Sequence, residues 1–482
     1  MIRSFGTITL IVLTLVSWQL PLPAAAQEAA TAPLLDPTYH DLARLEGLEL
    51  VQRGAAGQAP YSVGRIQWMV RDARRRLAAD TVLSLEVRAE AEAILGRVEH
   101  RMEGGAHAPS LRGWVEAEVG GGESPGRAEP PNGLGGVDVV VNPLWAYRGG
   151  RAYGDRVVGA MAGGLAVGPT PWLAFGAAAR YMLGRSSGQM PGRTDLTVEA
   201  LYARAVLGRV ALEVGRDQLW IAADGGHDLL LSGNAPPTNM IRLSSDRPLS
   251  VPVLGDVDVT LFAADLGPHQ NFPHAKQFGF LAAARPTPSL TLRLSLLNKQ
   301  MGDGAPDASA KDRILDLLWV PDWFRSANYE FSDKLAGLGI DVGFGPFRAS
   351  AEAALTDFDQ TRLKRTFWAS AGYRIVLSAP ALGPGGRHAL RAEATTLGPY
   401  LYRHRQFTSG AVVDGFLEGD VLGPDSRGCS LEYAYDDASA GWGVLAQLAV
   451  DDRSGDQWKN APPDPGGRPT LLQARPDEVR VR

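Results

Sequence analysis

Two stretches of this 482-residue chain combine planar hydrogen-bonding side chains with aromatic rings. Such donors and acceptors can hold a hydroxyl-rich ligand, while ring faces supply an apolar contact for it. The alternative is that the same side chains brace the fold through internal hydrogen bonds and packing. The residues concerned are Arg216, Trp220 and Asn234 in the first stretch, and His404, Arg405, Gln406 and Phe407 in the second.

No sequence motif for catalysis or metal binding accompanies these residues. The chain has no H-E-x-x-H, no P-loop and no G-x-S-x-G. His269 and His274 have no carboxylate partner at a known ligand spacing, which is more typical of a polar loop than of a metal site. The single cysteine, Cys429, cannot form an intramolecular disulfide, and we expect it to be a packed small side chain. We therefore predict no catalytic residue, no metal and no cofactor.

Residues 109–482 show the two-residue periodicity of half-buried strands, for example in "DVDVTLFA" and "LTLRLSLL". A soluble β-sandwich or propeller would bury the apolar face, whereas an outer-membrane barrel would turn it to lipid and fill its lumen with charge. Arg and Glu recur on the polar face, and aromatic residues such as Trp172 and Trp442 cluster near strand ends. The pattern predicts a mainly β fold, a large antiparallel outer-membrane β-barrel with extracellular loops, including 184–193 and 299–312.

The N-terminal part of the chain has different patterns. Residues 1–26 combine Arg3, a short apolar run and an Ala-Ala-Ala cleavage site, which predicts a cleaved signal peptide; an uncleaved membrane anchor is the alternative. Residues 27–108 carry apolar residues at helical spacing, such as Leu42 and Leu45, and predict a periplasmic α-helical region. The net charge of −5 does not suggest a nucleic-acid partner. We therefore predict that the exported chain reaches the outer membrane.

Four parts of the chain resemble the Wzi capsule assembly family of outer-membrane proteins. Segment 215–248 is similar to the family's G-R-x-x-x-W strand and its following L-L-x-S-x-N-A-x-P. Segment 402–428 resembles the family's Tyr-x-His-x-Gln-Phe and its later Leu-Gly-Pro-Asp. Segment 331–344 is similar to a family strand that begins Ser-Asn/Asp-Lys/Arg, and the N-terminal helical region agrees in position. The resemblance covers essentially the whole mature chain.

This resemblance implies a closed barrel of roughly 18 antiparallel strands with a helical region on the periplasmic side. It also implies that the chain binds or anchors exported capsular polysaccharide, or an exopolysaccharide, at the cell surface and assists capsule assembly without catalysis. The seven residues named first are then either polysaccharide-binding or lumen-bracing. Outer-membrane lipid is the other expected partner, and we expect a monomer.

Two other functions are consistent with the pattern of residues. A passive outer-membrane channel, or porin, needs an open and wet lumen, but segments 215–248 and 402–428 are bulky enough to plug one. A barrel enzyme that acts on lipid or glycan needs a Ser/His/Asp arrangement or paired carboxylates, which spacing along the chain does not reveal.

Overall fold

A computed structural model gives the fold of the chain. The predicted signal peptide 1–26 lies outside the described residues except for Val16–Leu20, and so do Arg405 and the predicted loop 184–193. The structure describes residues 16–20, 29–32, 36–52, 59–81, 83–102, 110–120, 127–128, 139–140, 149–150, 158–183, 196–221, 228–320, 331–356, 367–404, 406–414, 416–453 and 478–481.

Strands make up most of the described chain, and three of the four described helices precede the second strand. In chain order the elements are β1 (Val16–Leu20), α1 (Thr38–Gly47), α2 (Val63–Ala79), α3 (Leu85–Met102), β2 (Ser110–Gly120), β3 (Arg127–Ala128), β4 (Val139–Val140), β5 (Val158–Thr170), β6 (Leu173–Leu183), β7 (Leu196–Leu207), β8 (Val210–Asp217), β9 (Thr238–Ser245), β10 (Leu249–Val251), β11 (Gly255–Asp265), β12 (Lys276–Thr287), β13 (Leu290–Gln300), α4 (Ala310–Leu317), β14 (Ser332–Phe344), β15 (Phe347–Thr356), β16 (Ala371–Leu382), a 3₁₀ turn (Pro384–Gly386), β17 (His388–Leu397), β18 (Val412–Val413), β19 (Phe416–Leu417), β20 (Ser426–Asp437), β21 (Trp442–Arg453) and β22 (Glu478–Val481).

Eighteen of these strands form one large antiparallel sheet, the wall of the β-barrel. From β2 and β5 onward, each wall strand pairs with the next wall strand along the chain. The short strand β10 is the exception: β9 pairs directly with β11, and β10 pairs with the beginning of β11 on the same side. After β17 the wall continues with β20, β21 and β22, because β18 and β19 pair only with each other. The predicted mainly β, antiparallel barrel of about 18 strands is confirmed.

Side chains alternate between the two faces of the wall as the sequence predicts. In β13, Thr291 and Arg293 are buried, whereas Leu292 between them is exposed. In β11, Asp258 and Thr260 are buried and Leu261 is exposed. The charged face therefore points into the barrel and the apolar face points outward, which is the arrangement of a barrel surrounded by lipid.

Charged side chains inside the barrel neutralise one another. Glu213 of β8 lies 3.1 Å from the guanidinium of Arg204 on β7 and 2.6 Å from that of Arg242 on β9. Farther round the wall, Glu352 of β15 lies 3.4 Å from Arg374 of β16. A buried charge that loses its partner is strongly destabilising, so these cross-strand ion pairs favour the observed pairing of neighbouring strands.

The connections between wall strands are short at one end of the barrel and long at the other. Outer-membrane barrels have short periplasmic turns and longer extracellular loops, and we orient the barrel accordingly. The long connections include β8 to β9, β13 to β14, which contains α4, and β17 to β20. The short ones are 171–172, 208–209, 252–254, 288–289, 345–346, 383–387 and 438–441.

Helices α1, α2 and α3 pack around their own apolar core. Leu42 and Leu45 of α1 meet Ile66 of α2 and Ile94 and Leu95 of α3, all of them fully buried. The apolar spacing in the sequence produces this core, since each helix turns one stripe toward the other two. Within the described part of the chain, no helix is long and apolar enough to cross a membrane.

The helical region is bound to the short-turn end of the barrel by buried ion pairs. Arg65 of α2 lies 2.9 Å from Asp258 of β11, and Arg285 of β12 lies 2.7 Å from the same carboxylate. Arg44 of α1 lies 2.5 Å from Asp436 at the end of β20. Because these partners come from distant parts of the sequence, the helices and the wall depend on each other for charge neutrality.

Cys429 does not lie where the sequence suggested. We expected a packed small side chain, but Cys429 is exposed on the outward face of β20, the same face as exposed Leu431 two residues along the strand. The prediction is wrong because a small apolar residue fits a lipid-facing position as well as a core position, and the alternation of β20 decides between them.

Asp258 is expected to be essential for holding the helices to the wall. Asp258→Asn leaves Arg65 and Arg285 buried without their shared carboxylate, so the free energy of unfolding should fall by about 3–5 kcal/mol. The matched control is Asp256→Asn in the same strand, where the carboxylate is half-exposed and 3.3 Å from the Ser250 hydroxyl. Denaturant unfolding in detergent measures both, and equal stability of the two variants would contradict the expectation.

Candidate functional site: the plug in the barrel lumen

The stretches singled out in the sequence lie mainly in two connections that fold into the barrel. One is the β8 to β9 connection, residues 218–237, and the other is the β17 to β20 connection, residues 398–425. We call these two segments together the plug. Leu230 of the first segment reaches inward-facing wall residues near Gly337, and the backbone N–H of Leu229 donates to Glu352 Oε1 at 2.9 Å. The plug therefore occupies the lumen.

The three leucines of "GHDLLLSGNAPP" are buried in the plug and do not form a strand. Three leucines followed by Ser-Gly-Asn would fit the end of a strand and its turn, but Leu229, Leu230 and Leu231 lie in a bend outside any strand, whereas residues 233 and 234 do form a turn. Their backbone is irregular because side chains accept its hydrogen bonds: Asp228 Oδ1 accepts from the N–H groups of Leu230 and Leu231, at 2.7 and 2.9 Å. Leucine content alone does not distinguish a wall strand from an irregular segment buried in the plug.

The two plug segments hold each other through side-chain to backbone hydrogen bonds. The Ser232 hydroxyl donates to the carbonyl oxygen of Gly419 at 2.6 Å, and Asn234 Nδ2 donates to that of Leu417 at 3.0 Å. In return, the Tyr402 hydroxyl donates to the carbonyl oxygen of Leu229 at 2.5 Å. Asn234 is thus brought to the other segment, where its amide supports the β18–β19 hairpin.

Trp220 joins the plug to the helical region. Its backbone N–H and carbonyl make reciprocal 3.0 Å hydrogen bonds with Ala59, which lies between α1 and α2. Its indole ring is buried against Gly233, where an added Cβ would lie 2.3 Å from ring atoms. Glycine is required at this position because the ring passes directly over the backbone.

His404 and Phe407 shape the tight loop of the second segment. His404 Nδ1 accepts hydrogen bonds from the backbone N–H groups of Gln406 and Phe407, at 3.2 and 3.0 Å. The Phe407 ring is fully buried, with its centroid 5.6 Å from that of His404. Both side chains therefore support the loop. Gln406 is half-exposed as a residue, but its Oε1 is buried and has no hydrogen-bond partner among the described residues.

A third loop, residues 266–275, covers the second plug segment from the extracellular side. Asn271 Nδ2 donates to the Gln406 carbonyl oxygen at 2.8 Å, and Gln270 Nε2 donates to that of Val412 at 2.6 Å. The half-exposed Phe272 ring meets Phe407 edge-on, with 5.1 Å between centroids. We call Asn271, Phe272 and Gln406 the outer plug surface. Sequence analysis missed Asn271 and Phe272, although "HQNFPH" holds the same mixture of amides and a ring.

Arg216 lies apart from the other predicted residues. In β8, Glu213 and Asp217 face inward, and Arg216 is on the opposite, outward face together with exposed Val214. Its Nε donates to the carbonyl oxygen of Val198 on β7, at 2.8 Å. The structure does not bring Arg216 together with Asn234 or with the outer plug surface.

The histidines of the 266–275 loop do not form a metal-binding cluster. His269 and His274 are exposed, and His274 Nδ1 lies 3.2 Å from Asp265. Over the ranges of the chain that the structure describes, no group of three or more His, Cys, Asp or Glu residues could hold a metal ion.

Glu418 is a titratable group inside the plug. Burial raises the pKa of its carboxyl to about 7, and the nearby Asp333 carboxylate acts in the same direction. Lys299 and a 3.0 Å hydrogen bond donated by Gln277 Nε2 oppose the rise. Near neutral pH the carboxyl therefore exchanges between its neutral and charged forms, at the place where the Glu418 backbone carbonyl accepts the Ser232 N–H at 2.7 Å.

Two small cavities lie beside the plug among the described residues. A cavity of about 40 Å³ is lined by Trp220, Ser232 and Glu418 among others, and one of about 20 Å³ lies beside Arg65 and Arg242. These two volumes hold only a few water molecules. Neither of them is wide enough to be the aqueous path that a porin needs.

An antiparallel barrel with a charged interior, an apolar outer face and a folded plug defines a plugged β-barrel of the outer-membrane type. The family model described as capsule assembly protein Wzi matches residues 145–436, which is more than half of the chain. The chain therefore belongs to the Wzi capsule assembly family.

Solved structures agree with this fold. Wzi of Escherichia coli, described as an outer-membrane protein involved in group 1 capsule assembly and a carbohydrate-binding β-barrel, is 14% identical with a TM-score of 0.64, over 88% of this chain and 86% of that chain. A Rhodopseudomonas blastica porin mutant is 12% identical with a TM-score of 0.33, over 62% and 86% of the two chains. That lower score supports no argument about function. No curated protein sequence matches the chain significantly.

Gly233→Ala is expected to displace the plug. The added methyl group would overlap the Trp220 ring, so the protein should lose about 1–3 kcal/mol of stability and its conductance in planar bilayers should rise. Gly96→Ala in α3 is the control, because a Cβ there meets nothing within 4 Å. A Gly233→Ala variant with unchanged stability and conductance would show that the ring moves freely.

The plug is expected to loosen as pH rises. Because the folded-state pKa of Glu418 is raised to about 7, its contribution to stability is complete below its ordinary value and is lost as pH rises through about 7. Hydrogen-exchange protection factors of residues 398–425 should therefore fall between about pH 5 and 8. Glu418→Gln should remove this dependence, whereas Asp425→Asn, a half-exposed change in the same segment, should retain it.

Proposed function

We propose that this protein is an outer-membrane barrel that binds exported capsular polysaccharide, or an exopolysaccharide, at the cell surface and so assists capsule assembly. The observation that carries the proposal is the outer plug surface, where the half-exposed residues Asn271, Phe272 and Gln406 lie together at the extracellular end of a plugged barrel. Sugars are held by directional hydrogen bonds and by ring faces, and this surface offers both. Family membership supports the same function.

Binding without catalysis fits the chemistry of the plug. Two of its carboxylates, Glu418 and Asp420, are buried, and Asp420 Oδ1 accepts from the Leu422 N–H at 2.8 Å, so these two serve the fold. A glycosidase would need two carboxyl groups facing each other across an open cleft. We therefore infer that the chain is not an enzyme and needs no cofactor.

Six of the seven residues predicted from the sequence divide between two roles in this proposal, whereas Arg216, on the outward face of β8, takes neither. Trp220, Asn234, His404 and Phe407 brace the plug, and Gln406 contacts the sugar. Arg405, next to Gln406 in the sequence, is proposed to contact the sugar as well. We further propose that residues 1–26 are removed as a signal peptide, so that β1 (Val16–Leu20), which pairs with β2 in the structure, is absent from the mature wall. We also propose that residues 27–108 lie in the periplasm and that the protein acts as a monomer.

Direct binding to the organism's own capsular polysaccharide tests the proposed site. Phe272→Leu keeps an apolar side chain against Phe407 but removes the ring face, and it should weaken binding about fivefold, as measured by calorimetry or pull-down. Gln406→Ala should weaken binding as well. Phe347→Leu, an exposed ring at the short-turn end, is the control. Wild-type binding by both Phe272→Leu and Gln406→Ala would place the sugar elsewhere.

Cells that lack the protein provide the test of the function itself. Cell-associated polysaccharide should fall while synthesis continues, so that more polymer appears in the medium. Unchanged retention in the deletion strain would reject the capsule-assembly role. A large and steady conductance of the purified wild-type protein in planar bilayers would instead favour a porin.

A further inference from the structure

A row of polar residues crosses four strands on the outer face of the barrel, at its extracellular rim. Arg216 of β8 is in register with Asn239 of β9, Asn239 with Asp265 of β11, and Asp265 with Lys276 of β12. The cross-strand partner of Arg216 on β7 is Leu201, which is exposed. These side chains therefore lie side by side where the wall meets the outer leaflet.

An apolar groove lies directly below this row. Two residues farther into the wall, Val214, Ile241, Ala263 and Phe278 are in register with one another on the same outward face. Together with the row they line a groove of about 690 Å³. The groove is thus apolar toward the middle of the wall and polar at its extracellular edge, which matches the order of acyl chain and headgroup in a lipid.

The edge of the groove carries a positive charge. Lys276 Nζ lies 2.8 Å from Asp265, so these two groups neutralise each other. Among the described residues no salt bridge joins Arg216 to a carboxylate, although the charge of Asp414 in the plug also acts on it. An arginine at a membrane interface pairs well with phosphate, because its planar guanidinium can donate two parallel hydrogen bonds.

We propose that this groove binds one phosphorylated lipid of the outer leaflet, with its phosphate on Arg216 and an acyl chain along the apolar floor. The charge and the polarity order of the groove both select this ligand. The site is on the lipid-facing side of the wall, so it is separate from the proposed sugar-binding surface on the plug, and each can fail without the other.

Native mass spectrometry of the detergent-purified protein with added diphosphorylated lipid A tests the proposal. The wild-type protein should retain one lipid, and Arg216→Gln should bind it about tenfold more weakly. Arg427→Gln is the matched control, because Arg427 is also exposed and outward-facing near the same rim, opposite Asp452 on β21. Equal lipid binding by the Arg216→Gln and wild-type proteins would overturn the proposal.

Two further experiments measure the contributions of the phosphate and of the acyl chain to binding separately. Ala263→Phe fills the groove without changing its charge, and it should weaken lipid binding while leaving the Arg216 guanidinium in place. The dephosphorylated lipid should bind about tenfold more weakly to wild-type protein, and inorganic phosphate should not displace the intact lipid. Full binding by Ala263→Phe, full binding of the dephosphorylated lipid, or displacement by inorganic phosphate would each reject a lipid site in this groove.

Discussion

The backbone of the plug must find hydrogen-bond partners inside the barrel. Buried N–H and C=O groups without partners are costly, so an irregular segment survives there only if other parts of the chain supply them. The two plug segments supply them to each other, through Ser232 and Asn234 on one side and Tyr402 on the other. The two segments therefore stabilise each other's conformation inside the barrel.

The same constraint applies to charge. The wall turns many carboxylates and guanidinium groups inward, and each needs a partner of opposite sign within the barrel. Glu213 forms ion pairs with two arginines on neighbouring strands, whereas Asp258 forms them with one arginine of the wall and one of the helical region. The helices are therefore part of the charge balance of the barrel and not merely packed against its end.

Local patterns in the sequence were sufficient to predict the strands of the wall but not the structure of the plug. Alternation in β11 and β13 determines which side chains face inward, because a strand repeats every two residues regardless of what it contacts. The environment of Leu229–Leu231 depends on Glu352 and Tyr402, more than a hundred residues away, and no local pattern encodes such partners. The same reason explains why Asn271 and Phe272 were missed, and why Arg216 was grouped with Asn234 although it lies on the other side of the wall.

The connection between Ala59 and Trp220 does not depend on side-chain chemistry. Both of its hydrogen bonds join main chain to main chain. Their donors and acceptors are present whichever residues occupy the two positions, apart from proline. A substitution at either position by any residue other than proline therefore leaves these two hydrogen bonds between the plug and the helical region available.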